Sequence, residues 1–363
     1  MRARDLGIEV GRGRPGALNA ITDVAGVRVG FTTLIAGEAV RTGVTVIVPH
    51  DGNVWEEPLF AGAHRLNGNG ELTGLEWIRE AGMLMSPIGL TNTHSVGVVR
   101  DALAELDVRD RTHPERPFWA LPVVGETWDG VLNDVNGMHV RREHVFEAYD
   151  AASAGPVAEG NVGSGTGMIC HEFKGGIGSA SRVLAADAGG YTLGVLVQAN
   201  HGRRERLAVN GAPVGAEIPV SEVPAPGPAA AGAGSIIVVV ATDAPLLPGQ
   251  CRRVAQRASF GIARTGGVGE HWSGDLLLAF STANRGLPAS EIDAPTPLTV
   301  SLEMLADAHI DVLFDAAVEA TEEAILGALL GAETLTGRAG LTAHAIDPDR
   351  LLAALDRHGA RTG

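Results

Sequence analysis

A Pro/Ala/Gly-rich stretch, Pro224 to Gly234, runs straight into Ser235-Ile236-Ile237-Val238-Val239-Val240. The second half of this junction is short, apolar and β-branched, the composition of a strand. Any fold for the chain must therefore place a strand that starts at Ser235. Two readings of the boundary are open. In one, Ser221 to Gly234, with Pro224, Pro226 and Pro228, is a linker between domains, and composition alone favours this because such linkers are ordinary. In the other, the bond between Gly234 and Ser235 is cut. Ser235 then carries a hydroxyl and a free α-amine on one residue, a complete nucleophile-and-base unit. Gly234 suits attack on its own carbonyl, having no side chain in the way and tolerating a strained backbone. A free α-amine, with an ordinary pKa of about 8, can act as a base near neutral pH.

The rest of the chain frames this strand with others. Gly43 to Pro49, Thr192 to Asn200, Ser235 to Ala241 and Asp275 to Ser281 read as strands, and Thr93 to Val99 and Pro122 to Glu126 read the same way from shorter runs. Helices are expected over Gly74 to Ala81, Leu247 to Ala263, Asp311 to Leu330 and Asp347 to Arg357. Strands and helices are interleaved without strict alternation, which favours a layered α/β or α+β sandwich over a doubly wound parallel sheet. Hydrophobic residues make up 45% of the 363 and aromatics only 4%, so the core is large and built from Ala, Val, Leu and Ile. The 49 glycines show no Gly-X-Y period and mark tight turns and close backbone approaches.

A net charge of −15 argues against nucleic-acid binding, which wants a basic face. Cys170 and Cys251 give neither a disulfide framework nor zinc spacing. No signal-peptide stretch and no run of 18 apolar residues is present, so a cytoplasmic protein without membrane partners is expected. Lys174 is the only lysine.

Four further clusters carry chemistry-bearing side chains. Glu270-His271-Trp272-Ser273-Gly274-Asp275 places a hydroxyl and a carboxylate two residues apart before a strand, able to orient an ammonium. Gln198-Ala199-Asn200-His201-Gly202 ends a strand, where the Asn200 amide could donate to a developing oxyanion. Glu159 to Gly167, with Gly163, Gly165 and Gly167, resembles a phosphate loop only loosely, because Met168 falls where the third glycine of dinucleotide spacing belongs; a backbone lining for a substrate pocket suits Gly163 and Gly165 better. Glu126 to Asp134 holds Trp128-Asp129 and Asn133-Asp134 without a recognisable metal-loop spacing.

Taken together these segments resemble the DmpA/BapA-type aminopeptidases, peptidase family S58, also called P1 family peptidases. The likeness rests on Asn19 to Gly30, Thr91 to Gly97, Glu159 to Gly178, Gly234-Ser235, Arg264-Thr265-Gly266, Ala279 to Asn284 and Thr321 to Leu326, and so spans almost the whole chain. It implies a four-layer αββα sandwich of the DmpA/ArgJ-like type, one catalytic domain over 1–363, made as a precursor that cuts itself into 1–234 and 235–363. It implies removal of N-terminal residues from short peptides, amides or esters, including D-alanyl or β-aminoacyl substrates, with the fragments held in a homotetramer of heterodimers. Carried over by position, Ser235 is the nucleophile, Ser273 and Asp275 lie near its free amine, and Asn200 serves the oxyanion. Trp128 falls where some relatives have a pocket tyrosine, which removes a hydroxyl. No metal or organic cofactor is expected. Related chemistry on another amide, such as an oligoamide, acyl transfer, or an unprocessed binding protein are the alternatives.

Overall fold

A computed structural model describes residues 1–227, 234–288 and 296–361. Its strands, in chain order, are β1 (Arg28–Ala36), β2 (Val40–Val48), β3 (Leu59–Gly68), β4 (Met83–Leu84), β5 (Ile88–Asn92), β6 (Val123–Thr127), β7 (Ile169–Cys170), β8 (Phe173–Lys174), β9 (Gly176–Val183), β10 (Thr192–Asn200), β11 (Ser235–Thr242), β12 (Gly274–Ser281), β13 (Leu335–Thr336) and β14 (Thr342–Ala343). The helices are α1 (Leu75–Ala81), α2 (Val96–Arg109), α3 (Arg142–Asp150), α4 (Val214–Glu217), α5 (Pro248–Arg264), α6 (Asp311–Leu330) and α7 (Pro348–His358).

Two sheets lie face to face between two helical layers. One sheet has the order β1-β2-β5-β6 and the other β4-β3-β12-β11-β10-β9. The β11 run explains the stacking. Ile236, Val238 and Val240 join a core with α5 and α6 residues such as Val254, Ala258, Ile325 and Leu329. The alternate residues Ile237, Val239 and Ala241 join a second core with Ile47, Ile88 and Val123 of the smaller sheet. A strand buried on both faces loses the polar alternation of a half-exposed one, hence the unbroken apolar run. A third core, with Val44, Val46, Val99, Leu103 and Val145, fills the space between the smaller sheet and α2 and α3. The layers are thus helix, sheet, sheet, helix.

The expected strand over Thr93 to Val99 is corrected: Thr93–Ser95 is a 3-10 turn and α2 starts at Val96. Val96, Val99, Leu103 and Leu106 are buried, a three-and-four spacing that a seven-residue window is too short to reveal. Ser221 to Gly234 lies partly outside the described residues.

Strand direction decides where chemistry can occur. β10 is antiparallel to β11 with Asn200 opposite Ser235. β12 is parallel to β11 with Asp275 opposite Ile236. β3 is antiparallel to β12 and ends at Gly68 opposite Gly274. β5 and β6 run parallel and end at Asn92 and Thr127. The start of β11 therefore shares one rim with the ends of β10, β3, β5 and β6.

Candidate active site

That rim opens into a cavity of about 530 Å³ lined by Asn69, Gly70, Glu71, Thr93, Glu126, Trp128, Gly234, Ser235 and Trp272. Ser235 is the first residue of β11 and is buried. Its Oγ accepts a 2.9 Å hydrogen bond from the Gly274 N–H. Gly234 packs so tightly that a Cβ there would stand 1.8 Å from the Asn200 carbonyl oxygen. Only glycine fits without moving the β10 backbone.

Asn200 is fixed by partners of opposite kind. Its Oδ1 accepts from the Ile169 N–H at 2.7 Å, and its Nδ2 donates to the Trp128 carbonyl at 2.9 Å. An N–H cannot accept and a C=O cannot donate, so the amide has one orientation. Nδ2 keeps a second N–H beyond the one given to Trp128, and it lies 3.1 Å from the Cβ position of Gly234. The amide donor thus sits beside the carbonyl-bearing residue that precedes Ser235.

Ser273 donates to Asp275 Oδ1 at 2.5 Å. Both side chains are buried, and burial pushes the Asp275 carboxyl up to about 6, against the Ser273 hydrogen bond and with the help of Glu270. A carboxylate that is half protonated in mild acid stands one strand over from Ser235.

The second carboxylate of the site, Glu126, was not among the side chains read from sequence. Its Oε1 accepts from the Glu71 N–H at 3.0 Å, and Thr93 donates to Oε2. Burial raises its pKa while these two donors oppose the rise. A carboxylate inside an otherwise apolar strand, Val123–Thr127, is the signal that could have found it, since such a group is rarely buried without a purpose. Thr93, Glu71, Asn69 and Gly70 also entered with the fold, and Trp272, from the Glu270 to Asp275 cluster, lines the cavity.

Of the remaining candidates, Trp128 lines the cavity. Gly163 and Gly165 do not. A Cβ on Gly163 would meet Thr45 and Phe31, and one on Gly165 would meet the Ile177 and Gly160 backbones, so both serve close packing. Asp129 turns inward, where Asn92 and Asn133 donate to it at 3.1 Å and burial pushes it up to about 6. His201 is buried behind Asn200, and burial, helped by His171, holds its pKa well below the ordinary value.

Lys174 supports the turn beside Asn200. Its Nζ donates to the carbonyls of Gly165, Met168 and Gly175 at 3.1, 2.8 and 2.7 Å. Burial pulls the ammonium down to about 7, and the nearby Cys170 opposes that pull. The turn it ties leads to Ile169, the residue that orients Asn200. Lys174→Met leaves the Gly175 carbonyl without its donor, while the Gly165 and Met168 carbonyls keep the N–H groups of Met168 and Gly175, and it is expected to cost about 1–3 kcal/mol, read as a lower urea midpoint at unchanged slope.

Among the described residues no helix is long and apolar enough to cross a membrane. The model of peptidase family S58 matches residues 19–343. The β-peptidyl aminopeptidase BapA of Sphingosinicella microcystinivorans is 47% identical, over 98% of this chain and 92% of its own. A β-aminopeptidase of Burkholderia sp. superposes with a TM-score of 0.94 at 56% identity, over 99% of each chain. The L-aminopeptidase D-Ala-esterase/amidase of Ochrobactrum anthropi, described as a prototype of the serine aminopeptidases and a variant of the Ntn hydrolase fold, superposes with a TM-score of 0.90 at 43% identity, also over 99% of each chain. With a family match that runs from before β1 to the last short strand and whole-chain relatives on the same layered frame, the chain belongs to peptidase family S58.

Proposed function

We propose that this aminopeptidase is made as a precursor that cuts itself between Gly234 and Ser235, and that Ser235 then serves as the nucleophile against N-terminal residues of short peptides, amides or esters. The observation that carries the reading is the meeting of Gly234, Ser235 and the oriented Asn200 amide at the wall of one cavity.

In the precursor the Ser235 hydroxyl attacks the Gly234 carbonyl. The C–N bond breaks, an ester forms, and the amine keeps the hydroxyl's proton; water then hydrolyses the ester to give 1–234 and 235–363. The Ser235 nitrogen, an amide in the uncut chain, is thereby an α-amine. In the cut enzyme it takes the proton from Oγ as Oγ adds to the substrate carbonyl, and it returns that proton to the leaving amine. Asn200 donates to the oxyanion. Water, activated by the same amine, releases the acyl group. Ser273 and Asp275 orient the amine from the neighbouring strand. Intact mass measurement of the purified protein tests the first step: two chains divided at residue 234 are expected, and one chain of 37.5 kDa would refute it.

Glu126 is the group that receives the substrate's ammonium. It lines the cavity, its two known donors hold both oxygens in place, and a charge-assisted hydrogen bond to it is worth about 1.5–3 kcal/mol. Glu126→Gln is expected to raise KM for free-amine substrates about 10- to 100-fold with a smaller change in kcat; an unchanged KM would remove Glu126 from this role. The relatives named as β-aminopeptidases share more identity with the chain than the D-Ala-esterase/amidase, which supports β-aminoacyl over D-alanyl substrates. The fragments are proposed to stay together in a homotetramer in the cytoplasm.

The first acid limb is that of the Ser235 α-amine, ordinarily about 8, and a second, lower limb follows from Asp275, pushed up to about 6 in the uncut chain. Below that pH it is protonated and neutral and cannot hold a cationic amine; above it the charge is present. The rate is expected to fall further as pH drops through about 6, and Asp275→Asn to remove that lower limb. A limb unchanged in the variant would assign it elsewhere.

A further inference from the structure

Behind the oxyanion amide lies a cluster that the proposed reaction does not use. The β7–β8 hairpin turns at His171 and Glu172, which adopt left-handed φ of 49° and 62°, and lies against the end of β10. The His171 N–H donates to the His201 carbonyl at 2.7 Å. Cys170 Sγ is 3.9 Å from His201 Nδ1, and one ligand atom from each of Cys170, His171 and His201 lies within 4.8 Å of the other two. All three residues are buried, His171 at 0% and His201 at 3% exposure.

The hydrogen bonds leave donor atoms free. His171 Nδ1 meets the Arg203 carbonyl at 3.0 Å. A carbonyl can only accept, so Nδ1 carries the proton and Nε2 has a bare lone pair. That Nε2 has no hydrogen-bond partner among the described residues, and of His201 it is Nδ1 that faces Cys170 Sγ. A ring nitrogen fixed by a backbone carbonyl with its other nitrogen unengaged is the arrangement of a metal-bound histidine. The rings are also held from outside: a Cβ on Gly202 would stand 2.4 Å from His171 Cε1, and one on Gly267 3.1 Å from His201 Cδ2.

We propose that Cys170, His171 and His201 form a buried site for a soft monovalent d10 cation, Cu+. Thiolate and imidazole ligands select this class of ion. Ligand bonds of about 2.0–2.3 Å place neighbouring donor atoms about 3.5 Å apart, a contraction of a few tenths of an ångström from the 3.9 Å between Sγ and Nδ1 and of up to about 1.3 Å for the other pairs, which lie within 4.8 Å. Zn2+ suits the site less well. A structural zinc ion takes four ligands, and three are grouped here. Charge points the same way: Arg204, which donates to the His171 carbonyl at 3.1 Å, and Lys174, opposite Ile169 across the hairpin, outnumber the nearby carboxylate, Glu172, so a neutral thiolate with Cu+ suits the surroundings better than a positively charged thiolate with Zn2+. Binding exchanges the thiol proton for the ion and releases the proton to solvent; no electron is transferred. The bound ion would fasten the hairpin to β10 next to Asn200.

The test uses the full-length protein, reduced and anaerobic, titrated with Cu+ against a chromophoric Cu+ chelator. One equivalent per chain is expected, with a thiolate-to-copper ultraviolet band and a raised Tm, because an ion that binds only the folded state stabilises it. Cys170→Ala and His201→Gln should each lose the equivalent, and Cys251→Ala should keep it. Variants are compared only where far-UV circular dichroism matches the parent; Cys170→Ser and His171→Asn replace any that fail. No tight equivalent in the parent protein, or one that survives Cys170→Ala, overturns the site. Zn2+ bound more tightly than Cu+ in the parallel titration overturns the choice of ion.

Discussion

Ser235→Ala is expected to yield a single uncut chain of about the parent mass and a fall in kcat on the order of 10⁶-fold, the scale seen when a serine nucleophile is removed. Both losses come from one atom. In the proposed scheme Oγ is the attacking group on Gly234 in the precursor and on the substrate afterwards. The substitution is small, and among the described residues the one hydrogen bond of Oγ is from the Gly274 N–H, so the fold should persist and Tm should stay near the parent's. The measurement is a denaturing gel with intact mass, followed by kinetics on a short free-amine peptide. Fragments divided at residue 234 from the alanine variant would sink the self-cleavage scheme. An uncut variant with near-parent activity would sink the nucleophile assignment alone.

Asn200→Ala should lower kcat about 10²- to 10³-fold, the usual cost of one oxyanion donor, with KM little changed. The amide orientation is set by the Ile169 N–H and the Trp128 carbonyl, so its free N–H is in place before any substrate arrives, and a donor that needs no reorganisation acts mainly on the transition state. Self-cleavage should slow as well, because the Gly234 carbonyl would use the same donor. A variant whose KM rises while kcat holds would make Asn200 a ground-state binder and overturn the role. The lost partner for the buried Ile169 N–H should also cost about 1–3 kcal/mol of stability, which a separate unfolding curve measures.

The sequence made some of this legible and hid the rest for physical reasons. The β10, β11 and β12 runs and the α6 boundaries are plain because each is a long apolar segment with no competing pattern. β9, Gly176–Val183, escaped because it is mostly Gly, Ser and Ala. Such residues have low strand propensity, yet they are required: a Cβ on Gly178 would stand 1.9 Å from the Ala324 carbonyl of α6. Gly163 and Gly165 looked like a pocket lining and turned out to serve the same close packing. At the site, Ser235, Asn200, Ser273 and Asp275 came from their places at the junction, at strand ends and from the family likeness, and the structure gathers them on one rim. Glu126 did not, because its partners Glu71 and Thr93 stand 55 and 33 residues away. No local spacing signals a pairing of that range.

The order of the larger sheet has one more consequence. β11 and β12 follow Ser235, while β3 on one side and β10 on the other precede Gly234. A cut at the junction leaves the later piece as the two middle strands of a sheet whose flanks belong to the earlier piece. The later piece carries α5 and α6 for one face of β11 but lacks the smaller sheet that covers the other, so the proposed cut has to come after assembly. The cut is then a one-way step. A chain that once folded as a unimolecular event would, after denaturation, have to find its other half by collision, with exposed β-branched strands competing to aggregate. Refolding yield of the cut form should therefore depend on concentration where that of the Ser235→Ala chain does not.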